Sequence, residues 1–230
     1  MIVKLADLPI EINDIDDRLK EFFNNYLSED TPLIRVDVSS DDIKYEKELV
    51  ENANLDDLNC ILLAIYRKIA EELPKYNAFV FHGSAVYYGD NALILSGVSG
   101  SGKSTHARLL KEYKSVEVVN DDKPIIRIID NKPYVYGTPW DGKHHINQNV
   151  CKEIKNILFI NKDSNNHLEL IQNEDVYIKL LEQTYRPIFN KENYSITIDL
   201  VNNLGKLTKQ YNLYCDISEE ATDLSFELLK

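Results

Sequence analysis

Residues Gly97-Val98-Ser99-Gly100-Ser101-Gly102-Lys103-Ser104 fit the pattern G-x-x-x-x-G-K-[ST] in full, and Thr105 follows directly. Each residue type has a physical reason to stand where it does. The glycines let the backbone curl until several N–H groups point inward, a nest suited to phosphate oxygens. Lys103 adds a point charge for β- and γ-phosphates, and the Ser104 hydroxyl is of the kind that ligates Mg²⁺. A helix opening at Thr105 aims the positive end of its dipole at the same place. The stretch Gly97–Thr105 therefore predicts a site for the phosphates of a nucleoside triphosphate with Mg²⁺.

A second group of residues fits the same chemistry. Val118-Val119-Asn120-Asp121-Asp122 reads as a buried strand emptying into two adjacent acids, 18 residues beyond Lys103. That interval holds one helix and a return strand to the same sheet end. Phosphoryl transfer needs carboxylates there, to hold the metal or to take a proton from an attacking hydroxyl. Taken alone, the same pair is a solvated polar turn. His82 is a proton partner for an aspartate, a phosphate ligand, or a residue with no chemical task. In Gly137-Thr138-Pro139-Trp140-Asp141-Gly142-Lys143, Trp140 suits a substrate wall, Asp141 a metal ligand and Lys143 a phosphate contact. The plainer alternative is a loop whose Trp140 packs on the core. His144-His145 has no spaced third ligand, which argues against zinc. Arg186, ahead of Pro187, suits a contact with transferring phosphate, although a surface arginine is the better default.

The elements around these residues follow from pattern. Leu33–Val38 alternates as a half-buried strand, after a turn at Glu29–Pro32. Leu58, Ile61, Leu62, Ile65, Ile69 and Leu73 line one face of a helix, with Asn54 as a cap and Pro74 and Asn77 ending it. Ala78–Phe81 and Ala85–Tyr88 are β-rich, Gly89-Asp90-Asn91 is a turn, and Ala92–Ser96 is a buried strand. This is a hairpin whose second arm runs into the glycine loop. Thr105–Tyr113 predicts a helix and Val116–Val119 a strand. Ile125–Ile129 and Tyr134–Tyr136 flank a turn at Asp130–Pro133. Ile154–Ile160 and Ser195–Val201 read as strands, Asp175–Gln183 as a helix, and Glu219–Leu229 as a helix capped by Ser218.

Composition narrows the classes. A formal net charge of −12 repels polyphosphate, and the 26 Lys and Arg are scattered without a basic patch, so nucleic acid is an unsuitable partner. No apolar run approaches the roughly 20 residues that cross a bilayer. Cys60, Cys151 and Cys215 share no metal-type spacing and suggest reduced thiols in a cytoplasm. The acidic residues in MIVKLADLPIEIND come too early for a signal peptide.

His82-Gly83, the loop Gly97–Thr105 and Asn120-Asp121-Asp122, in that order and spacing, resemble the catalytic domain of HPr kinase/phosphorylase. More closely they look like its short relatives, the HPr-kinase-like proteins associated with modified-peptide biosynthesis. Tyr136–Lys143 and Tyr214–Leu229 share that likeness, which covers roughly residues 78 to 230. The resemblance implies an α/β fold like phosphoenolpyruvate carboxykinase, a mixed sheet with a P-loop. With the element pattern above, the simplest reading is a single kinase-like domain, 1–230, with accessory strands and a covering helix (1–77) and a catalytic core (78–230). The resemblance implies ATP- and Mg²⁺-dependent phosphorylation of a hydroxyl, usually serine, on a peptide, protein or small metabolite. By carry-over, Gly97, Ser99, Gly100, Ser101, Gly102, Lys103, Ser104 and Thr105 hold the nucleotide. Lys103 also serves transfer, Asp121 or Asp122 is the base or a metal ligand, and His82 supports it. Ser104, Asp122 and Asp141 make up the metal set. A homo-oligomer is compatible with this family.

The chain also departs from the family. The glycine-rich signature that follows the double Asp in true HPr kinases is missing, with Thr138–Lys143 near its place. A shorter segment replaces the separate N-terminal domain. HPr itself and the reverse reaction are therefore not implied. Two alternatives remain at this stage: a small-molecule kinase on a parallel P-loop sheet, and a nucleotide-sensing module that transfers nothing. An antiparallel strand beside Ala92–Ser96 separates the leading reading from the first of these.

Overall fold

The computed structural model describes residues 1–13, 16–49, 55–143 and 145–230. The chain opens with a hairpin of β1 (Ile2–Leu5) and β2 (Leu8–Ile12), joined by Ala6 and Asp7 at positive φ, as a two-residue I′ turn requires. After α1 (Asp17–Phe22), β3 (Ile34–Val36) adds parallel to β2 within the predicted strand. Next come α2 (Ser40–Leu49) and the predicted amphipathic helix, α3 (Asp57–Glu72). Asp56 caps α3 by accepting from the Asn59 N–H at 2.8 Å; Asn54 lies outside the described residues. A 3₁₀ turn at Leu73–Tyr76 and Asn77 at φ 57° close it, as Pro74 and Asn77 predict.

A nine-stranded mixed sheet follows, made of β4 (Ala78–Val80), β5 (Ser84–Tyr88), β6 (Asn91–Ser96), β7 (Glu117–Asn120), β8 (Ile125–Ile129), β9 (Lys132–Tyr136), β10 (Cys151–Lys162), β11 (His167–Leu170) and β12 (Lys209–Cys215). Its path runs β4-β8-β9-β10-β6-β5-β7, and β12 pairs with both β10 and β11. The strand that feeds the glycine loop, β6, has β5 antiparallel on one side and β10 parallel on the other. An all-parallel sheet is thereby ruled out, and with it the fold of the parallel-sheet alternative.

Alternation along β6 sets the layers. Leu93 and Leu95 face α4 (Lys103–Lys114) and α7 (Glu219–Glu227), while Ala92 and Ile94 face α5 (Asn173–Glu182) and α6 (Lys191–Leu207). Ser195–Val201, expected as a strand, lies inside α6. Polar and apolar residues alternate from Ser195 to Leu200, but Thr197, Leu200, Val201 and Leu204 are buried at helical spacing, and Asn190 caps the first turn. The N-terminal strands share a core with α3, Ala78, Val80 and Ile125. They are tied down by Arg127 donating to the Ala6 carbonyl at 2.8 Å and by the Tyr136 hydroxyl donating to Asp7 at 2.7 Å. Among the described residues no helix is long and apolar enough to cross a membrane.

Candidate active site

Three strand ends meet at one edge of the sheet. Ser84 pairs with Leu95, so the same register carried past the strand ends sets His82 beside Gly97. Ala85 pairs with Asn120, which brings Asp121 and Asp122 alongside from the other flank of β5. The glycine loop, the His82-Gly83 turn and the two acids therefore share one edge.

The loop takes the conformation its glycines permit, with φ of 136° at Gly97, 77° at Gly100 and 109° at Gly102. Helix α4 begins at Lys103, two residues ahead of the predicted start, so Lys103 and Ser104 lie in its first turn. The Lys103 ammonium donates to the Gly97 and Val98 carbonyls at 2.9 and 3.2 Å. Burial lowers its pKa, against the attraction of Asp122 and then Asp121. Ser101 is buried, and its hydroxyl has no hydrogen-bond partner among the described residues.

One turn into α4, His106 anchors the helix to α7 through a 2.8 Å contact between Nε2 and the Ser225 hydroxyl. Burial pushes its pKa down to about 4. The unfolded chain takes up this proton near the ordinary imidazole value, whereas the folded chain resists until about pH 4. The stabilisation is therefore complete above the ordinary value and is lost as pH falls towards 4, an effect of ~3 kcal/mol. Urea midpoints at pH 7 and pH 4 should differ more for the wild type than for His106→Gln, which cannot titrate. Equal differences would show that His106 plays no part.

The acids occupy unequal positions. Asp121 is buried, accepts from the Ser84 hydroxyl at 2.6 Å and backs onto Gly142. Asp122 is more open; its carboxylate pairs with Lys123 and lies 3.6 Å from His82 Nε2. Asn120 shapes the turn by accepting from the N–H groups of Asp122 and Lys123 at 2.9 and 2.8 Å. Its amide donates to the Thr138 carbonyl at 2.9 Å, and the Thr138 hydroxyl donates to the Lys123 carbonyl at 2.8 Å. The Gly83 N–H donates to the Asp122 carbonyl at 3.0 Å, and the Ser96 hydroxyl to the His82 carbonyl at 3.2 Å, locking the His82 turn to both neighbours. Burial, then Lys103, lower the His82 pKa; Asp122 opposes this and Lys123 adds to it. His82 is therefore neutral at neutral pH.

Cavities lie on both sides of this edge. One of about 720 Å³ runs from the loop and Leu109 across the ends of β10 and β12, by Lys162, Asp163 and Ile217. Its Cys215 thiol is pushed up to about 11 by burial and Asp216, so it stays protonated. A smaller one of about 260 Å³ lies against His82, Asp122, Tyr66 and Tyr185. The segment leading to Tyr185 is held beside β4 by an antiparallel bridge between Phe81 and Thr184.

The segment that carries Trp140 and Asp141 packs against the acid turn, and a further cavity is lined by Lys123, Trp140 and Asp141. Trp140 packs against Phe22, Phe23 and Tyr66 with ring centroids 5.4–5.9 Å apart, the core role of the plainer alternative. Asp141 accepts from Asn147 at 2.7 Å and contacts His145 Nδ1 at 3.2 Å. Among the described residues no three His, Cys, Asp or Glu side chains gather as a metal cluster. His144 lies outside the described residues. Arg186 is exposed and has no ion pair among them. Ser84 and Lys123 were not singled out from the sequence; the hairpin register is the one signal that points to Ser84.

The sequence matches no protein-family model and no curated protein. Among solved structures, the HPr(Ser) kinase/phosphatase from Coxiella burnetii is similar over 65 % of this chain and 87 % of that one, at 9 % identity and a TM-score of 0.38. At that score the likeness is a distant one, and what the site does follows from this chain's own residues.

Proposed function

We propose that this chain is a phosphotransferase that moves the γ-phosphate of ATP to a hydroxyl, as of serine, on a peptide, protein or small metabolite. One observation carries the reading: Lys103, His82, Asp121 and Asp122 converge where three strand ends meet, with a large cavity on one side and a small one on the other. A site that only bound nucleotide would not need the acid pair or the second cavity.

The loop N–H groups cradle the phosphates, and Lys103 leaves the Gly97 and Val98 carbonyls for the phosphate oxygens. Mg²⁺ is commonly held by one or two carboxylates and substrate phosphates, so Ser104 and Asp121 would fit it without an all-protein cage. When bound, it neutralises charge on the β- and γ-phosphates. Asp122 orients the acceptor hydroxyl and, with neutral His82 beside it, takes the proton. Asp121 is fixed behind them by the Ser84 hydroxyl.

Transfer of label from γ-labelled ATP to serine-containing acceptors tests the proposal. Lys103→Ala should lose transfer by roughly 100-fold or more while its circular dichroism is unchanged, since its hydrogen bonds are to loop carbonyls alone. Full transfer by Lys103→Ala would sink the assignment. Nucleotide binding without transfer to any acceptor would make the chain a sensor.

A further inference from the structure

The small cavity carries its own chemical specification. At about 260 Å³ it falls below the roughly 300–1,000 Å³ of clefts that hold drug-sized ligands. Its walls include Tyr66 and Tyr185, set edge to face with centroids 5.9 Å apart. The Tyr185 hydroxyl donates to Glu71 Oε1 at 3.1 Å. Glu71 is only 8 % exposed, and its Oε2 has no hydrogen-bond partner among the described residues, so a buried carboxylate stands directly behind the aromatic wall. Glu182 lines the cavity as well, exposed and without an ion pair among the described residues. Asp122 is paired with Lys123, the one cationic side chain of the lining among the described residues. Within the lining, the carboxylates of Asp122 and Glu182 outnumber the single cation, Lys123, around two aromatic rings, surroundings that attract an ammonium group.

Resting on the phosphotransferase reading above, we infer that the acceptor is a small amino alcohol, with a free ammonium group close to the hydroxyl that is phosphorylated. The ammonium lies towards Tyr66, Tyr185 and Glu182, and the hydroxyl lies against Asp122 and His82. The acceptor oxygen forms the new bond to the γ-phosphorus. The bridging β–γ bond breaks with its electron pair leaving on ADP, and the hydroxyl proton passes to the Asp122–His82 pair. A serine inside a peptide lacks the ammonium group, because its nitrogen is acylated.

L-Serinamide and N-acetyl-L-serinamide differ in that one group. With ATP and Mg²⁺, the wild type should favour L-serinamide by at least roughly tenfold in kcat/KM, and Glu182→Gln should narrow that ratio. Equal use of both compounds, or preference for the acetylated one or a seryl peptide, overturns this inference and leaves phosphotransfer standing. Transfer to neither compound nor to a seryl peptide, with ATP demonstrably bound, overturns both.

Discussion

Asp122→Asn should reduce transfer by roughly 10²- to 10⁴-fold, the range for a positioned general base, with nucleotide affinity and thermal midpoint close to the wild type. The substitution keeps shape and removes charge. The neighbouring turn survives, because Asn120 holds it through the backbone N–H groups of residues 122 and 123 and not through the carboxylate. What is lost is the anion 3.6 Å from His82 Nε2 and paired with Lys123.

The pH profile supplies a second readout of the same variant. Burial and the two lysines hold the His82 pKa below the ordinary imidazole value, so wild-type kcat/KM should be flat at neutral pH and fall only in acid. Asp122 is the one group that raises that pKa. Without its charge, the residual activity of Asp122→Asn should hold to a lower pH before declining. A variant with wild-type kcat, or with an acid limb moved upward, would remove Asp122 from the proton path.

The loop was legible in the sequence because its chemistry is local. Glycines, Lys103 and Ser104 are consecutive, and a nest followed by a helix start needs no distant partner. The Ala85–Ser96 hairpin was legible for the same reason, since Gly89 and Asp90 set its register and the register carries His82 to Gly97. Long-range pairing was not legible. The Ser84–Asp121 hydrogen bond spans 37 residues, and the small cavity joins Tyr66 of α3 to Tyr185 beyond α5. Neither leaves a periodic trace. Strand β12 was missed because Lys209–Cys215 interleaves polar residues with two aromatics and gains its place from parallel pairing with β10. Ser195–Val201 misled in the opposite sense: polar and apolar residues alternate from Ser195 to Leu200, yet the wider helical spacing of the buried residues decided the outcome.

Gly137→Ala should destabilise the fold by more than about 4 kcal/mol, although the residue makes no side-chain contact and has no role in chemistry. A Cβ there would run into the Gln148 carbonyl oxygen and lie 2.9 Å from that of Val119. Both obstacles are backbone, and the Gln148 N–H already donates to Val119 at 2.9 Å, so neither can yield without opening that bond. The displaced chain carries Thr138, which holds Asn120, which in turn shapes the Asp121-Asp122 turn. Lost stability and lost transfer should therefore appear together. Gly89→Ala is the comparison: a Cβ there meets nothing within 4 Å, and only the positive φ of 61° opposes it, at about 1–2 kcal/mol. Urea denaturation of the two variants separates collision from backbone strain. If Gly137→Ala were as stable as Gly89→Ala, the close packing of Gln148 over Gly137 would not be what holds the acid turn in place.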